Sequence, residues 1–140
     1  MVFELGQLNK LIDGEHDSLH VATLDDSVMQ RIGWRLPFVH LSRKSCLHIL
    51  QDHTDITKFD LLRLPLAIQH GELILEGDRE NCLVACYNDD ETQKGYIALL
   101  KRAKTSSDFE IWVSSFYRLQ KRKLTKLRRE GQVIRNGRVR

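Results

Sequence analysis

The chain of 140 residues contains few of the local signatures that mark the large enzyme classes. Its eight glycines are scattered, so neither a dinucleotide-binding fingerprint nor a phosphate-binding loop is present. No G-x-S-x-G pattern surrounds a serine, which argues against a serine-hydrolase elbow. Proline occurs only at Pro37 and Pro65 and no stretch is rich in Gly and Ser, so we expect residues 1–140 to form a single domain.

Long apolar runs and paired cysteines are missing as well. No stretch approaches the roughly 18 apolar residues that a membrane-spanning helix needs, and the opening residues lack a basic-then-apolar leader. The odd cysteine count (Cys46, Cys82 and Cys86) fits reduced thiols better than a disulfide framework. No histidine lies near Cys82 or Cys86 to complete a zinc site. We therefore expect a cytoplasmic protein that has no membrane partner, no metal and no cofactor.

Acidic residues are scarce in the last 40 residues. Residues 1–100 contain 9 Lys/Arg and 16 Asp/Glu, a net charge of −7, whereas residues 101–140 contain 13 Lys/Arg and 3 Asp/Glu, a net charge of +10. Such asymmetry is typical of chains that bind nucleic acid or another acidic surface. A solvated basic helix would give the same count, so charge alone does not identify the partner.

The spacing of apolar residues predicts helices in the first half of the chain. Residues 3–12 have helical periodicity, and Ser42 is a good N-cap for a helix that follows a short strand at 38–42. Residues 58–70 are also helical in pattern, with either a kink at Pro65 or a new helix that begins at Leu64. The stretch between the first helix and residue 33 has no clear pattern.

From residue 71 the apolar period becomes two. Four runs follow, joined by turn-forming residues: GELILEGD, NCLVACYND, KGYIALLKRAK and FEIWVSSFY. They predict a four-stranded antiparallel meander. An amphipathic basic helix comes next and is expected to stop at Gly131, before a tail that can form an edge strand. The predicted fold is α+β: N-terminal helices packed on a four-stranded antiparallel sheet, followed by a basic C-terminal helix.

Two histidines on the predicted helix after Ser42 are candidates for chemistry. His48 and His53 lie about 140° apart around a helix, so one helix cannot easily direct both at a single metal ion. The spacing therefore counts against a metal site and leaves both a functional and a structural role open for each histidine.

Hydroxyl and basic side chains supply the other candidates. Lys101, Arg102 and Lys104 close the third strand, where neighbouring residues face opposite ways and only one parity can line a cleft. On the fourth strand Ser115 and Tyr117 are expected to share one face, and Trp112 and Ser114 the other. The expected phosphate-binding residues are Arg102, Lys104, Arg118, Lys121, Arg122 and Lys123.

Residues 38–140 resemble the phage-associated nucleases of the barnase–EndoU–colicin–RelE superfamily, which are small metal-independent ribonucleases often found as toxins. The resemblance lies in HLSRKSCLHILQDH, FDLLRLPLAIQHGELILEGD, the strand ending in ALLKRAK, and WVSSFY before the basic helix. It implies a nuclease-like core at 38–140, with residues 1–37 as an N-terminal extension. It also implies RNA as substrate, with tRNA among the candidates, and an acidic antitoxin or immunity protein as partner.

The resemblance also implies roles for individual residues. His48 or His53 would be the general acid/base, Lys101 would stabilise the phosphorane, and Ser114 or Ser115 would orient the phosphate. Tyr117 and Arg118 are further candidates. Cleavage by the RNA's own 2′-hydroxyl would leave a 2′,3′-cyclic phosphate. Thr54 stands where many relatives have proline. Two alternatives therefore stay open: a non-catalytic RNA- or DNA-binding module, and an inactive nuclease fold that binds a protein.

Overall fold

The structure is a computed structural model that describes residues 3–77, 81–104 and 108–139. In it, the helices pack on a mixed seven-stranded sheet. The helices are α1 (Leu5–Ile12), α2 (Asp26–Ile32), α3 (Arg43–Asp52), α4 (Lys58–Leu61), α5 (Leu64–His70) and α6 (Lys121–Glu130). The strands are β1 (Ser18–Thr23), β2 (Phe38–Ser42), β3 (Glu72–Leu75), β4 (Cys82–Asn88), β5 (Gly95–Lys104), β6 (Phe109–Arg118) and β7 (Gln132–Arg135).

The α+β class is confirmed, but the predicted four-stranded antiparallel sheet is wrong. The four predicted strands are β3 to β6 and they pair in antiparallel fashion, yet the sheet order is β1-β2-β6-β5-β4-β3-β7. β2 runs parallel to β6, β1 pairs with β2, and β7 pairs with β3. β1 was not predicted, because its register shifts between His20 and Ala22. The shift puts the adjacent residues Val21 and Ala22 in the same core, so the alternation of buried and exposed residues along the strand is interrupted.

The predicted helix boundaries have identifiable local causes. α3 begins after Ser42, whose hydroxyl accepts a hydrogen bond from the Ser45 N–H at 3.1 Å. Pro65 lies in the first turn of α5, so the chain starts a new helix there. The predicted turns at 77–78 and 105–108 lie partly outside the described residues.

The two faces of the sheet bury separate apolar clusters. The larger cluster, the main core, receives Leu8 from α1, Ile49 from α3 and Ile68 from α5. Because α1 and β1 contribute to it, residues in the 1–37 segment share the core of the chain that follows. On the opposite face Leu124 and Leu127 of α6 pack over β3, β4 and β5.

α6 ends where the sequence predicts, although for a different reason. Gly131 has an extended backbone with φ −104°, not the left-handed conformation that often ends a helix. A Cβ at this position would lie 2.6 Å from the Leu75 carbonyl oxygen. Glycine is therefore required by the close approach of the chain to β3.

All three cysteines are buried and carry free thiols. Burial raises the pKa of Cys46 to about 11 and that of Cys86 to about 12, so both thiols keep their protons at neutral pH. They are consequently poor nucleophiles.

Within the described ranges, no helix combines the length and the apolar character needed to cross a membrane.

Candidate functional site

The face of the sheet opposite the main core is covered by α6 only in part. A row of Cα partners crosses this face from β1 to β5, from His20 to His40, Trp112 and Lys101. Their neighbours in sequence, such as Val39 and Ile111, point into the main core, so the row itself faces away from it. We call this surface the open face. Its members are His20, His40, Trp112, Lys101, Ser115 and Tyr117.

A bulge in β6 sets the composition of the open face. Ser115 lies opposite Leu99, while Val113 lies opposite Leu100, so Ser114 is an extra residue in the strand. Trp112 lies opposite Lys101 and therefore shares a face with Ser115. The predicted separation of Trp112 from Ser115 and Tyr117 is wrong, because it assumed an unbroken alternation.

His53 meets the two hydroxyl residues that were predicted to share a face. Its Nε2 lies 3.5 Å from the Ser115 hydroxyl oxygen, and its ring stacks on Tyr117 with centroids 5.6 Å apart and planes at 30°. α3 begins directly after β2 and packs against β6, and His53 follows its last residue with φ −110° and ψ 82°. This non-helical conformation takes the chain out of the helix at the histidine.

His48 lies on the exposed side of the same helix. Its Nε2 is 3.0 Å from the Asp52 carboxylate, and 62% of its side chain is accessible to solvent. Of the two candidate histidines, only His53 is brought to Ser115 and Tyr117. The two therefore provide a matched pair for experiment.

The basic residues of β5 divide between the two faces as their parity requires. Lys101 is exposed on the open face, two residues along β5 from Leu99, the Cα partner of Ser115. Arg102 faces the other way, where it donates two hydrogen bonds to Asn81 Oδ1 and its guanidinium lies 4.7 Å from the centroid of Phe109. Lys104 is exposed at the end of the strand, two residues beyond Arg102.

The candidate serines and the tyrosine differ in their hydrogen bonding and proton affinity. The Ser114 hydroxyl donates to the Leu99 carbonyl at 3.4 Å, whereas the Ser115 hydroxyl faces His53. Burial, together with nearby Cys86, Glu76 and Cys82, raises the pKa of Tyr117 to about 12. The Tyr117 phenol therefore keeps its proton at neutral pH and can donate a hydrogen bond.

The basic residues from the end of β6 onward lie close to this site in sequence. Lys121 and Arg122 are exposed at the start of α6, only a few residues after Tyr117, and Lys123 is half-buried. Arg118 is half-buried, and its Nε has no hydrogen-bond partner among the described residues. The exposed start of α6 thus carries positive charge beside the open face.

Comparison with protein-family models, curated proteins and solved structures finds no match. In the described part of the chain, no three side chains of His, Cys, Asp or Glu are grouped as metal ligands would be.

The sequence prediction missed the histidines of the open face. His40 lies 5.2 Å from Trp112 between ring centroids and 6.0 Å from His20. Burial lowers the pKa of His40, against the opposing effect of Glu110, whose carboxylate is 3.7 Å away. The available signal was the alternation in SLHVAT and FVHLS, where each histidine stands between two apolar residues of a strand.

Proposed function

We propose that this chain is a metal-independent, toxin-like endoribonuclease. The observation that carries the proposal is the meeting of the His53 imidazole, the Ser115 hydroxyl and the Tyr117 phenol on a sheet face that also presents Lys101. These groups provide proton transfer, hydrogen bonding and positive charge, which are the three requirements for displacement at a phosphodiester.

The proposed reaction is transesterification within the RNA. His53 accepts the proton of a 2′-hydroxyl, whose oxygen attacks the adjacent phosphorus. The bond from phosphorus to the 5′-oxygen then breaks, and that oxygen takes a proton, for which Tyr117 is the neighbouring neutral donor. The products are a 2′,3′-cyclic phosphate and a 5′-hydroxyl, so no metal-bound water is needed.

The remaining residues act on the phosphate. Lys101 stabilises the extra negative charge of the pentacoordinate phosphorus, and Ser115 donates a hydrogen bond to one of its oxygens. Ser114 has a smaller part because its hydroxyl is bonded to the backbone. Lys121, Arg122 and Lys123 hold the RNA backbone beyond the cleaved bond, with tRNA among the candidate substrates and an acidic antitoxin as the matching inhibitor.

The exposed basic side chains of α6 also favour a second candidate function. A module that binds RNA or DNA without cleaving it would use the same Lys121 and Arg122 and would not need His53. An inactive nuclease fold that binds a protein would need neither group.

The test is cleavage of a labelled oligoribonucleotide in EDTA by the wild type and by the variants His53→Ala, Lys101→Ala and His48→Ala. We expect His53→Ala to lower the single-turnover rate by about 10²–10⁴-fold, since that is the usual effect of losing a general acid or base. His48→Ala is the matched control on the same helix and should cleave within a few-fold of the wild type.

The products and the binding data separate the candidate functions. Cyclic-phosphate ends that disappear in His53→Ala support the ribonuclease. Equal cleavage by His53→Ala and the wild type would contradict it. RNA that shifts on a gel without being cut would favour the binding module, and the absence of both effects would favour a protein partner.

A further inference from the structure

We propose that the rings of His20, His40 and Trp112 form a stacking subsite for an unpaired nucleobase of single-stranded RNA, next to the phosphodiester that the proposed ribonuclease cleaves. The subsite is distinct from the proton-transfer residues. It rests on the proposed function for its position in the reaction but not for its ability to bind RNA.

The three rings form a continuous strip across neighbouring strands. The centroids of His20 and His40 are 6.0 Å apart, and those of His40 and Trp112 are 5.2 Å apart with their planes at 41°. Phe38 continues the strip at the side of His20, with centroids 5.6 Å apart, and is 46% exposed. An accessible aromatic surface of this kind is suited to stacking with a base, because every base has a π-face.

The strip lies at a suitable distance from the proposed cleavage site. Trp112 and Ser115 are opposite Lys101 and Leu99, which are two residues apart on β5. That separation corresponds to roughly 7 Å along a strand. Lys101 is the direct cross-strand neighbour of Trp112, so a base on Trp112 would place its phosphate near a cation.

Charge favours a nucleic acid on this surface in one orientation. The Glu110 carboxylate, 3.7 Å from His40 Nε2, gives that end of the strip a negative charge, whereas Lys101 and the start of α6 are positive. A phosphate backbone is therefore expected on the Lys101 side, with a base over Trp112 and His40. In a duplex the faces of the bases are stacked on one another, so the subsite selects an unpaired base.

Trp112 fluorescence reports on this contact. The chain has two tryptophans, and Trp34 is buried in the main core, so a Trp34→Phe variant leaves Trp112 as the only tryptophan. The probe is a labelled single-stranded RNA with 2′-O-methyl groups throughout, which cannot undergo 2′-hydroxyl attack. We expect saturating quenching of Trp112 that follows the anisotropy of the label, and no quenching by the same sequence in a duplex.

Variants then measure the contribution of the ring. Trp112→Ala should weaken binding of the probe by roughly 10- to 100-fold, as for other base–aromatic contacts. Trp112→Phe should recover most of the affinity because it keeps an aromatic face. Far-UV circular dichroism of Trp112→Ala, compared with that of the wild type, checks that the alanine variant keeps its fold.

The outcomes separate this proposal from the ribonuclease. Binding without quenching, and with equal affinity in Trp112→Ala, overturns the subsite even if cleavage is intact. Quenching with the expected loss in Trp112→Ala supports the subsite even if the unmodified RNA is never cut, and in that case only the ribonuclease fails. No binding of the probe at saturating protein, or capture of a protein partner by this surface without any RNA binding, overturns the subsite.

Discussion

Replacement of Arg128 by methionine should destabilise the attachment of α6 to the sheet. Arg128 donates from Nε and Nη2 to the two carboxylate oxygens of Glu72, both at 2.8 Å. Glu72 is only 5% exposed, because it lies on β3 under the helix. Methionine keeps much of the aliphatic stem of arginine but removes both donors, so the variant leaves a carboxylate on the covered face without its partner.

The expected size follows from the burial of the two partners. Removing one partner of a fully buried ion pair costs about 3–5 kcal/mol, whereas an exposed pair contributes about 0–1 kcal/mol. Here one partner is buried and 43% of the Arg128 side chain is accessible to water. We therefore expect the free energy of unfolding to fall by about 2 kcal/mol, between these two limits.

Urea unfolding followed by circular dichroism measures this value, and Arg129→Met is the control. Arg129 is next in sequence, its side chain is 70% exposed, and its Nη2 lies 3.7 Å from the carboxylate of its exposed neighbour Glu130. Its replacement should change the free energy of unfolding by less than about 0.5 kcal/mol. The double variant Arg128→Met/Glu72→Gln should recover part of the loss, since an amide is less costly to bury unpaired than a carboxylate.

Two results would refute this reasoning. If Arg128→Met unfolds at the same urea concentration as Arg129→Met, the ion pair does not hold the helix. If the double variant loses the full sum of the two single losses, the two side chains are not energetically coupled.

Three further predictions concern stability and RNA binding. Burial opposes ionisation of Asp60, but hydrogen bonds from Tyr96, Thr57 and Lys94 outweigh this effect and lower its pKa. The contribution of Asp60 to stability is therefore present above the ordinary aspartate pKa near 3.9 and is lost as the pH falls through the pKa of the folded state. Urea midpoints at pH 6 and pH 3 should therefore differ less in Asp60→Asn than in the wild type, and an equal difference would contradict this. Ser42→Ala removes the N-cap of α3 and should lower the free energy of unfolding by about 1 kcal/mol, whereas Ser42→Asp should lose much less, as measured by thermal or urea unfolding. If the start of α6 holds an RNA backbone, Lys121→Gln should reduce the slope of log K against log salt by about 1, and an unchanged slope would place the backbone elsewhere.

The regular parts of the sheet could be predicted because their evidence is local. β3 to β6 are short runs rich in apolar residues, and turn-forming residues separate them. β1 could not be assigned, because its bulge puts Val21 and Ala22 in the same core. The parallel pairing of β2 with β6 joins segments about seventy residues apart, and no local pattern records it.

The candidate site was predictable to the extent that it follows helix and strand periodicity. Strand parity puts Ser115 and Tyr117 together, as found. His48 and His53 do point to different sides, but the prediction that one helix contains both is wrong, because α3 ends at Asp52. The side of Trp112 depends on the bulge at Ser114, and the meeting of His53 with β6 depends on the dihedral angles after α3. Both are products of packing between distant segments, so the sequence pattern alone could not supply them.

The parallel pairing of β2 with β6 also determines when the proposed site can exist during synthesis. β1 and β2 emerge from the ribosome long before β6, and His40 gains Trp112 as a neighbour only after residue 112 has been made. His53 likewise waits for Ser115 and Tyr117. Since such distant contacts form late, the nascent chain carries its histidines without the groups that the proposed cleavage requires. A ribonuclease built in this order would be inactive next to the ribosome and messenger that produce it until most of the chain is complete.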